Sequence, residues 1–180
     1  MDVIIKMLSK KELRTKILEE RNQLTSIQVV LAQTEVIKKI KEDPNFIKST
    51  YIGLYNPIKN EMDLNEITRK FPDKIFSYPT VEGDDLVFYT PIEESHYKKS
   101  NFGVIEVVKG ENVTNQLEYV IVPAVSMNLK NYRLGYGKGY FDRFFQKNKE
   151  IIKVGVCYRF AVTDFENEKH DIPLDYYFTE

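Results

Sequence analysis

A lone cysteine, Cys157, rules out an internal disulfide, and no companion at ligand spacing makes it part of a metal site. That usage fits a reducing compartment, and the cytoplasm is the expected location. Net charge is nearly absent as well. Lys and Arg number 26 against 27 Asp and Glu, leaving −1 at pH 7. Such a balance excludes bulk electrostatic attraction to nucleic acid, and no basic–aromatic stripe supplies it locally. No apolar run approaches the roughly 20 residues of a membrane span. The opening Met1-Asp-Val-Ile-Ile-Lys-Met-Leu8 is too short for a signal peptide and lacks a small-residue cleavage site. Repeats and low-complexity segments are missing too. What is present, 180 residues with 42% hydrophobic and 29% charged, suits one soluble domain spanning 1–180. It is expected to be a monomer with small-molecule partners.

Hydrophobic periodicity and capping signals predict an α/β domain with a mainly parallel sheet. Ser9-Lys-Lys-Glu12 reads as a capping box opening a helix to about Asn22, with Leu13, Ile17 and Leu18 inside. Thr25 or Ser26 caps a second helix to about Lys41, with Val29, Val30, Val36, Ile37 and Ile40 inside, and Asp43-Pro44 ends it. Thr50–Tyr55 is a buried strand. Asp63, with Glu66 three residues on, starts a short helix to Phe71. Lys74–Tyr78 is a strand that Pro79 stops. A turn at Val81–Asp85 and a strand at Leu86–Tyr89 suggest a hairpin. Thr90–Glu111 shows little periodicity beyond an extended piece from Phe102 to Val107. Leu117–Val122, Ile151–Val156 and Tyr176–Phe178 complete the strands.

Only eight glycines occur, and three of them alternate in Arg133-Leu-Gly-Tyr-Gly-Lys-Gly-Tyr-Phe-Asp142. An apolar run precedes this stretch and a helix-like Tyr140–Lys147 follows it. Alternating glycines allow left-handed backbone and close approach by a ligand. N–H groups at a helix start favour an anion. Arg133, Lys138 and Arg143 add positive charge, and Asp142 offers a carboxylate to a metal. The reading is a phosphate-binding loop. It is not a Walker loop, since no Gly-Lys-Ser/Thr follows the spacer, and it is not the G-x-G-x-x-G dinucleotide fingerprint.

The sequence resembles the 5-formyltetrahydrofolate cyclo-ligase (methenyltetrahydrofolate synthetase) family over essentially its whole length. Five elements carry the likeness: Lys10-Lys-Glu-Leu-Arg14, Tyr55-Asn-Pro-Ile-Lys-Asn-Glu61-Met-Asp63, Asn101-Phe-Gly-Val-Ile-Glu106, Val122-Pro-Ala-Val-Ser with Tyr132–Asp142, and His170-Asp-Ile-Pro-Leu-Asp175. The fourth is the most specific. Two departures stand out. Asn128 replaces the family's usual aspartate, so no catalytic role is assigned to it. Phe141 replaces a second tyrosine and carries no hydroxyl.

The resemblance implies a three-layer fold like that of sugar-phosphate isomerases and CoA-transferases. It also implies ATP- and Mg²⁺-dependent conversion of 5-formyltetrahydrofolate to 5,10-methenyltetrahydrofolate, with release of ADP and phosphate. ATP would be bound by Lys10, Lys11, Glu12, Leu13 and Arg14 and by Arg133, Leu134, Gly135, Tyr136, Gly137, Lys138, Gly139, Tyr140 and Phe141. Arg133 and Lys138 would act in catalysis. Folate would meet Asn56, Glu61, Tyr136 and Tyr140, and Asp142 and Asp171 would hold Mg²⁺.

Residue chemistry alone leaves alternatives open. Lys10 and Arg14, four apart on a helix, are either a polyphosphate contact or a solvated face. Asp142 is a metal ligand or a partner of the helix dipole, and Asp171 a ligand or a turn residue. Glu61 either meets the pterin or formamide end of a substrate, or stabilises positive charge on an iminium-like intermediate, or is an exposed loop carboxylate. His170, a turn histidine, either supports Asp171 or is simply solvated. His96 and Cys157 have no catalytic surroundings. Competing functional readings are a cyclo-ligase-like paralogue acting on another substrate, and a non-catalytic nucleotide- or RNA-binding module.

Overall fold

The computed structural model describes residues 8–93, 95–100 and 103–180. Ser9 caps α1 (Lys10–Asn22) through a capping box with Glu12, and Thr25 caps α2 (Ser26–Glu42) through a second box with Gln28. Each box satisfies helix-start donors that would otherwise lack partners. Val36, Ile37 and Ile40 face inward as the pattern requires, joined by Ala32, but Val30 is 52% exposed. The stripe of α2 is therefore narrower than its run of valines suggests.

Asp43-Pro44 both ends α2 and starts α3 (Pro44–Lys48), which sequence reading missed. Asp43 accepts from the Asn45 N–H, and Pro44 occupies the first turn, where its missing N–H costs nothing. After β1 (Tyr51–Gly53), α4 (Glu66–Lys70) begins at Asn65 rather than Asp63. The Asp63 carboxylate instead accepts from the Asn65 N–H.

Pro79 does not stop the next strand, and β2 runs Ile75–Glu82. It forms the expected hairpin with β3 (Asp85–Pro91). Phe88, opposite Pro79, turns its N–H and C=O away from β2, toward Thr114 and Val113. Pro79 thus sits at a position where the hairpin needs no donor. Its other flank is free because the pairing with β1 ends at Ser77.

Beyond β3 the chain makes β4 (Tyr97–Lys99), β5 (Ile105–Val107) and β6 (Gly110–Asn112). Asn101 and Phe102, part of the extended piece read from the sequence, lie outside the described residues. Then come β7 (Tyr119–Pro123), the short hairpin β8 (Ser126–Met127) and β9 (Arg133–Leu134), α5 (Tyr140–Lys147), β10 (Ile152–Val156) and β11 (Tyr176–Phe178).

The main sheet has the order β11-β10-β7-β1-β2-β3-β6. Its first five strands are parallel, and β3 and β6 add an antiparallel edge. Both faces of β7 are covered. Tyr119 and Val120 point to opposite faces. Tyr119 meets Phe46 of α3 edge-on and donates to Asp43. Val120 shares the other face with Gly53 and Phe88, and Phe88 packs on Phe144 of α5. Helices therefore flank the sheet on two sides, giving three layers.

Candidate active site

Chain order in the sheet reverses between β1 and β7, so the loops leaving those two strands diverge and flank a crevice. A cleft of about 910 Å³ opens there. It is lined by Asn56, Ile58 and Glu61 after β1 and by the glycine stretch after β9.

Three glycines shape that stretch for different reasons. Gly137 and Gly139 hold φ of 89° and 67°, where a side chain is strained. Gly135 leaves room for an arginine: a Cβ there would lie 2.3 Å from Arg133 Nη1. No side chain caps Gly139, which leaves the first N–H groups of α5 available to an anion. Between β7 and the glycines lies the β8–β9 hairpin, which sequence reading did not separate. Asn128 builds its turn. Its Oδ1 accepts from the Lys130 and Tyr132 N–H groups at 3.0 and 2.9 Å, and its Nδ2 donates to Phe165 O at 3.1 Å. Asn128 is thus a buried turn residue outside the cleft lining.

The lining divides by chemistry into two parts. The charged part is Lys10, Arg14, Arg133, the glycine stretch, Asp142, Glu168 and Asp171. Arg14 Nε donates to Gly135 O at 2.7 Å, pinning α1 to the loop. Lys10 Nζ lies 2.5 Å from Asp171 Oδ2 and 3.3 Å from Glu168 Oε1. Arg133 lies 3.5 Å from Asp142 Oδ2 and stacks on Phe141, its guanidinium 5.1 Å from the ring centre. Burial pulls the Arg133 pKa down, while Asp142, Asp171 and Glu61 oppose that pull. Phe141, which has no hydroxyl to offer, thus contributes its ring.

The second part is largely apolar: Tyr55, Ile58, Pro79, Val81, Leu86 and Val104. Asn56 reaches across it to donate to Ile105 O at 2.6 Å. Glu61 joins the two parts and is only 8% exposed. Its Oε2 accepts from Ile58 N at 3.0 Å and its Oε1 from the Tyr136 hydroxyl at 3.2 Å. Burial raises its pKa, and the Ile58 N–H, Arg21, Tyr136 and Arg133 counter that rise. Burial likewise pushes the Tyr136 phenol up to about 12. Lys59, held at φ 47°, places its ammonium 5.4 Å from the Tyr136 ring centre.

Most of the residues singled out from the sequence meet in this cleft: Lys10, Arg14, Asn56, Glu61, Arg133 to Phe141, Asp142 and Asp171. Lys11, Glu12 and Leu13 do not. Lys11 is exposed, Glu12 serves the capping box, and Leu13 is core. His170 is largely solvated, with Nε2 3.2 Å from Glu168. Cys157 is buried, which pushes its thiol up to about 12. Sequence reading missed Lys59, Glu106, Glu168 and above all Arg21, which is 2% exposed. A signal for Arg21 existed, since it extends the Leu13–Ile17 stripe of α1 by one further step of four.

A sequence model of the 5-formyltetrahydrofolate cyclo-ligase family matches residues 6–180. The chain belongs to that family. It is 30% identical to the Mycoplasma pneumoniae 5-formyltetrahydrofolate cyclo-ligase over 93% of its own length and 96% of that protein. The corresponding figures for the Haemophilus influenzae enzyme are 27%, 92% and 94%. Among solved structures, 5,10-methenyltetrahydrofolate synthetase from Aquifex aeolicus superposes with a TM-score of 0.81 at 36% identity, covering 93% of this chain and 88% of that one. The Mycoplasma pneumoniae synthetase does so with 0.76 at 28%, covering 96% and 99%. Family membership and fold thus agree, and the cleft described above is the site in which to seek the family's chemistry.

No group of three or more metal-ligating side chains gathers among the described residues. Mg²⁺ needs fewer, because it commonly takes one or two carboxylates together with substrate phosphates and water. Asp142 and Asp171 fit that requirement. Both line the cleft, and Asp142 Oδ1 accepts from the N–H of Ile172, the residue after Asp171. No helix among the described residues is long and apolar enough to cross a membrane.

Proposed function

We propose that this chain carries out the activity of its family, ATP-dependent closure of 5-formyltetrahydrofolate to 5,10-methenyltetrahydrofolate. The observation that carries the reading is the Arg14–Gly135 contact. It brings the cations of α1 onto a glycine loop 121 residues away, beside a cleft whose other part is apolar.

A formyl oxygen is a poor leaving group. Its attack on the γ-phosphorus of ATP expels ADP and turns it into phosphate ester. The N10 lone pair then attacks the formyl carbon, the C–O bond breaks, and phosphate departs as N10 loses its proton. Phosphoryl transfer asks for positioning and charge neutralisation more than for covalent help. Lys10, Arg14 and Arg133 supply the charge, and Lys138 stands in the same loop. Backbone N–H groups from Gly135 to Phe141 would hold the polyphosphate. Asp142 and Asp171 would hold Mg²⁺, which when bound neutralises phosphate charge. Asn56, Tyr136 and Tyr140 would frame the folate. Glu61, ionised, would complement the positive charge of the amidinium product.

The charged and apolar parts both draw on residues from Lys10 to Asp171, in keeping with a single domain. The buried lone thiol of Cys157 suits the cytoplasm. The test is spectrophotometric: methenyltetrahydrofolate should form from 5-formyltetrahydrofolate only with Mg-ATP. No product, or equal product without ATP, would overturn the reading.

A further inference from the structure

We infer that Arg21 is a positioning residue of the active site, acting through the Tyr136 hydroxyl to hold the Glu61 carboxylate ionised and aimed into the cleft. The inference rests on the functional reading above only for the use made of Glu61.

Hydrogen-bond direction carries the argument. Arg21 Nη2 lies 2.6 Å from the Tyr136 oxygen. A guanidinium has donors and no acceptor, so the phenol must accept from it. A phenol has one proton, which is then free to go to Glu61 Oε1 at 3.2 Å. Glu61 Oε2 already accepts from the Ile58 N–H. Both carboxylate oxygens are therefore acceptors, the arrangement of an ionised group. Protonating either one would weaken the hydrogen bond it accepts, so both bonds favour the ionised form. The cation at the far end sets the polarity of the whole relay.

Burial gives the relay its importance. Arg21 is 2% exposed and Glu61 8%, so neither charge is stabilised by water. They answer one another across the phenol. The other ionisable groups facing Glu61 are Arg133 from the glycine stretch, Tyr55 after β1 and Tyr158 after β10. The phenols of Tyr55 and Tyr158 donate elsewhere, to Met62 O at 2.6 Å and Asn60 O at 2.8 Å. Arg133 is itself 3.5 Å from Asp142. Arg21 is the cation committed to Glu61. Its own backbone carbonyl also accepts from Asn60 Nδ2 at 3.4 Å, which ties α1 to the loop carrying Glu61.

This position makes a specific demand on chemistry. Ring closure turns a neutral formamide into an amidinium cation, so an ionised Glu61 favours the product side of the step. A neutral Glu61 would lose that effect. Arg21 is buried and does not line the cleft, so its removal should act through the protonation of Glu61 and leave ATP binding alone.

The test compares wild type with Arg21→Met, Arg21→Lys and Tyr136→Phe. In Arg21→Met the acid limb of kcat/KM for 5-formyltetrahydrofolate should move up by about one pH unit. The KM for ATP should stay within about twofold of wild type. Arg21→Lys, which keeps the charge and a donor, should restore much of the original limb. Carboxyl-carbon NMR of Glu61 without substrate should show the same upward move in Arg21→Met. A folded Arg21→Met with an unchanged acid limb and an unchanged Glu61 titration would overturn the inference. Should Arg21→Met fail to fold, Tyr136→Phe decides, because it cuts the relay while leaving both charges. A Glu61 titration identical to wild type in that variant counts against us. An NMR shift in a protein that makes no methenyltetrahydrofolate would uphold the relay and refute the proposed function, so the two failures are distinguishable.

Discussion

The charged part of the cleft is assembled from positions far apart in the chain, whereas the apolar part comes from a continuous stretch. Lys10 meets Asp171 across 161 residues and Arg14 meets Gly135 across 121. Tyr55, Ile58, Pro79, Val81, Leu86 and Val104 all lie within fifty residues of one another, on or beside β1, β2, β3 and β5. The apolar part is thus fixed by the sheet, through the β1–β2 pairing and the β2–β3 hairpin. The charged part depends on α1 docking through a few side-chain contacts. Chemically the two should be separable, one serving nucleotide and the other folate, with Glu61 at the seam.

The sharpest way to break that division is a crossed pair of variants. Arg133→Ala should lower kcat/KM for ATP by about 10²–10³-fold, the usual loss when one charge-stabilising donor goes. Its KM for folate should change little, and circular dichroism should show a folded protein. Glu61→Gln should lower kcat/KM for 5-formyltetrahydrofolate by about 10²-fold while the KM for ATP holds. Equal damage to both substrates in either variant would mean the cleft works as one unit.

A smaller effect concerns Asp142. Asp142→Asn should raise the Mg²⁺ concentration for half-maximal rate by about tenfold. An unchanged titration would mean that Asp142 only orients Arg133 and receives the Ile172 N–H.

The smallest effect tests the seam itself. Burial raises the Glu61 pKa above its usual 4.5. A carboxyl raised on folding contributes stability that is full below its unfolded pKa and lost as pH rises through its folded pKa. Wild type should therefore lose stability relative to Glu61→Gln as pH climbs from 4.5, by at most a few degrees in Tm. A gap that moved the other way would place Glu61 in a more favourable setting than its burial implies.

Much of this was legible in the sequence, for reasons that differ by element. Ser9 and Glu12 announced α1 because capping is local, and Tyr119 to Val122 announced β7 because a strand buried on both faces is a plain apolar run. The three glycines stood out because backbone geometry there admits little else. Legibility failed where the cause is distant. Arg21 looks like a solvated helix cation until Tyr136 is brought 2.6 Å away by a segment 115 residues later. Pro79 looked like a strand breaker because the missing partner on its far flank is a property of β1 and of no local signal. The two-residue strands β8 and β9 fall below any periodicity, and Asn128, whose Oδ1 accepts from Lys130 and Tyr132, shapes the turn between them. Lys11, Glu12 and Leu13 were drawn toward the site by a motif that a helix can satisfy on only one face.

The Arg14–Gly135 contact also sets a clock on biosynthesis. α1 leaves the ribosome early, with three cations destined for partners not yet translated. At about 5–20 residues per second, the 161 residues between Lys10 and Asp171 take roughly 8–30 s. Within that interval Arg21 waits for Tyr136, 115 residues further on. A nascent chain halted before the glycine stretch lacks the partners that Arg14 and Lys10 meet in the folded protein. The charged part of the cleft therefore closes only after most of the chain has been made.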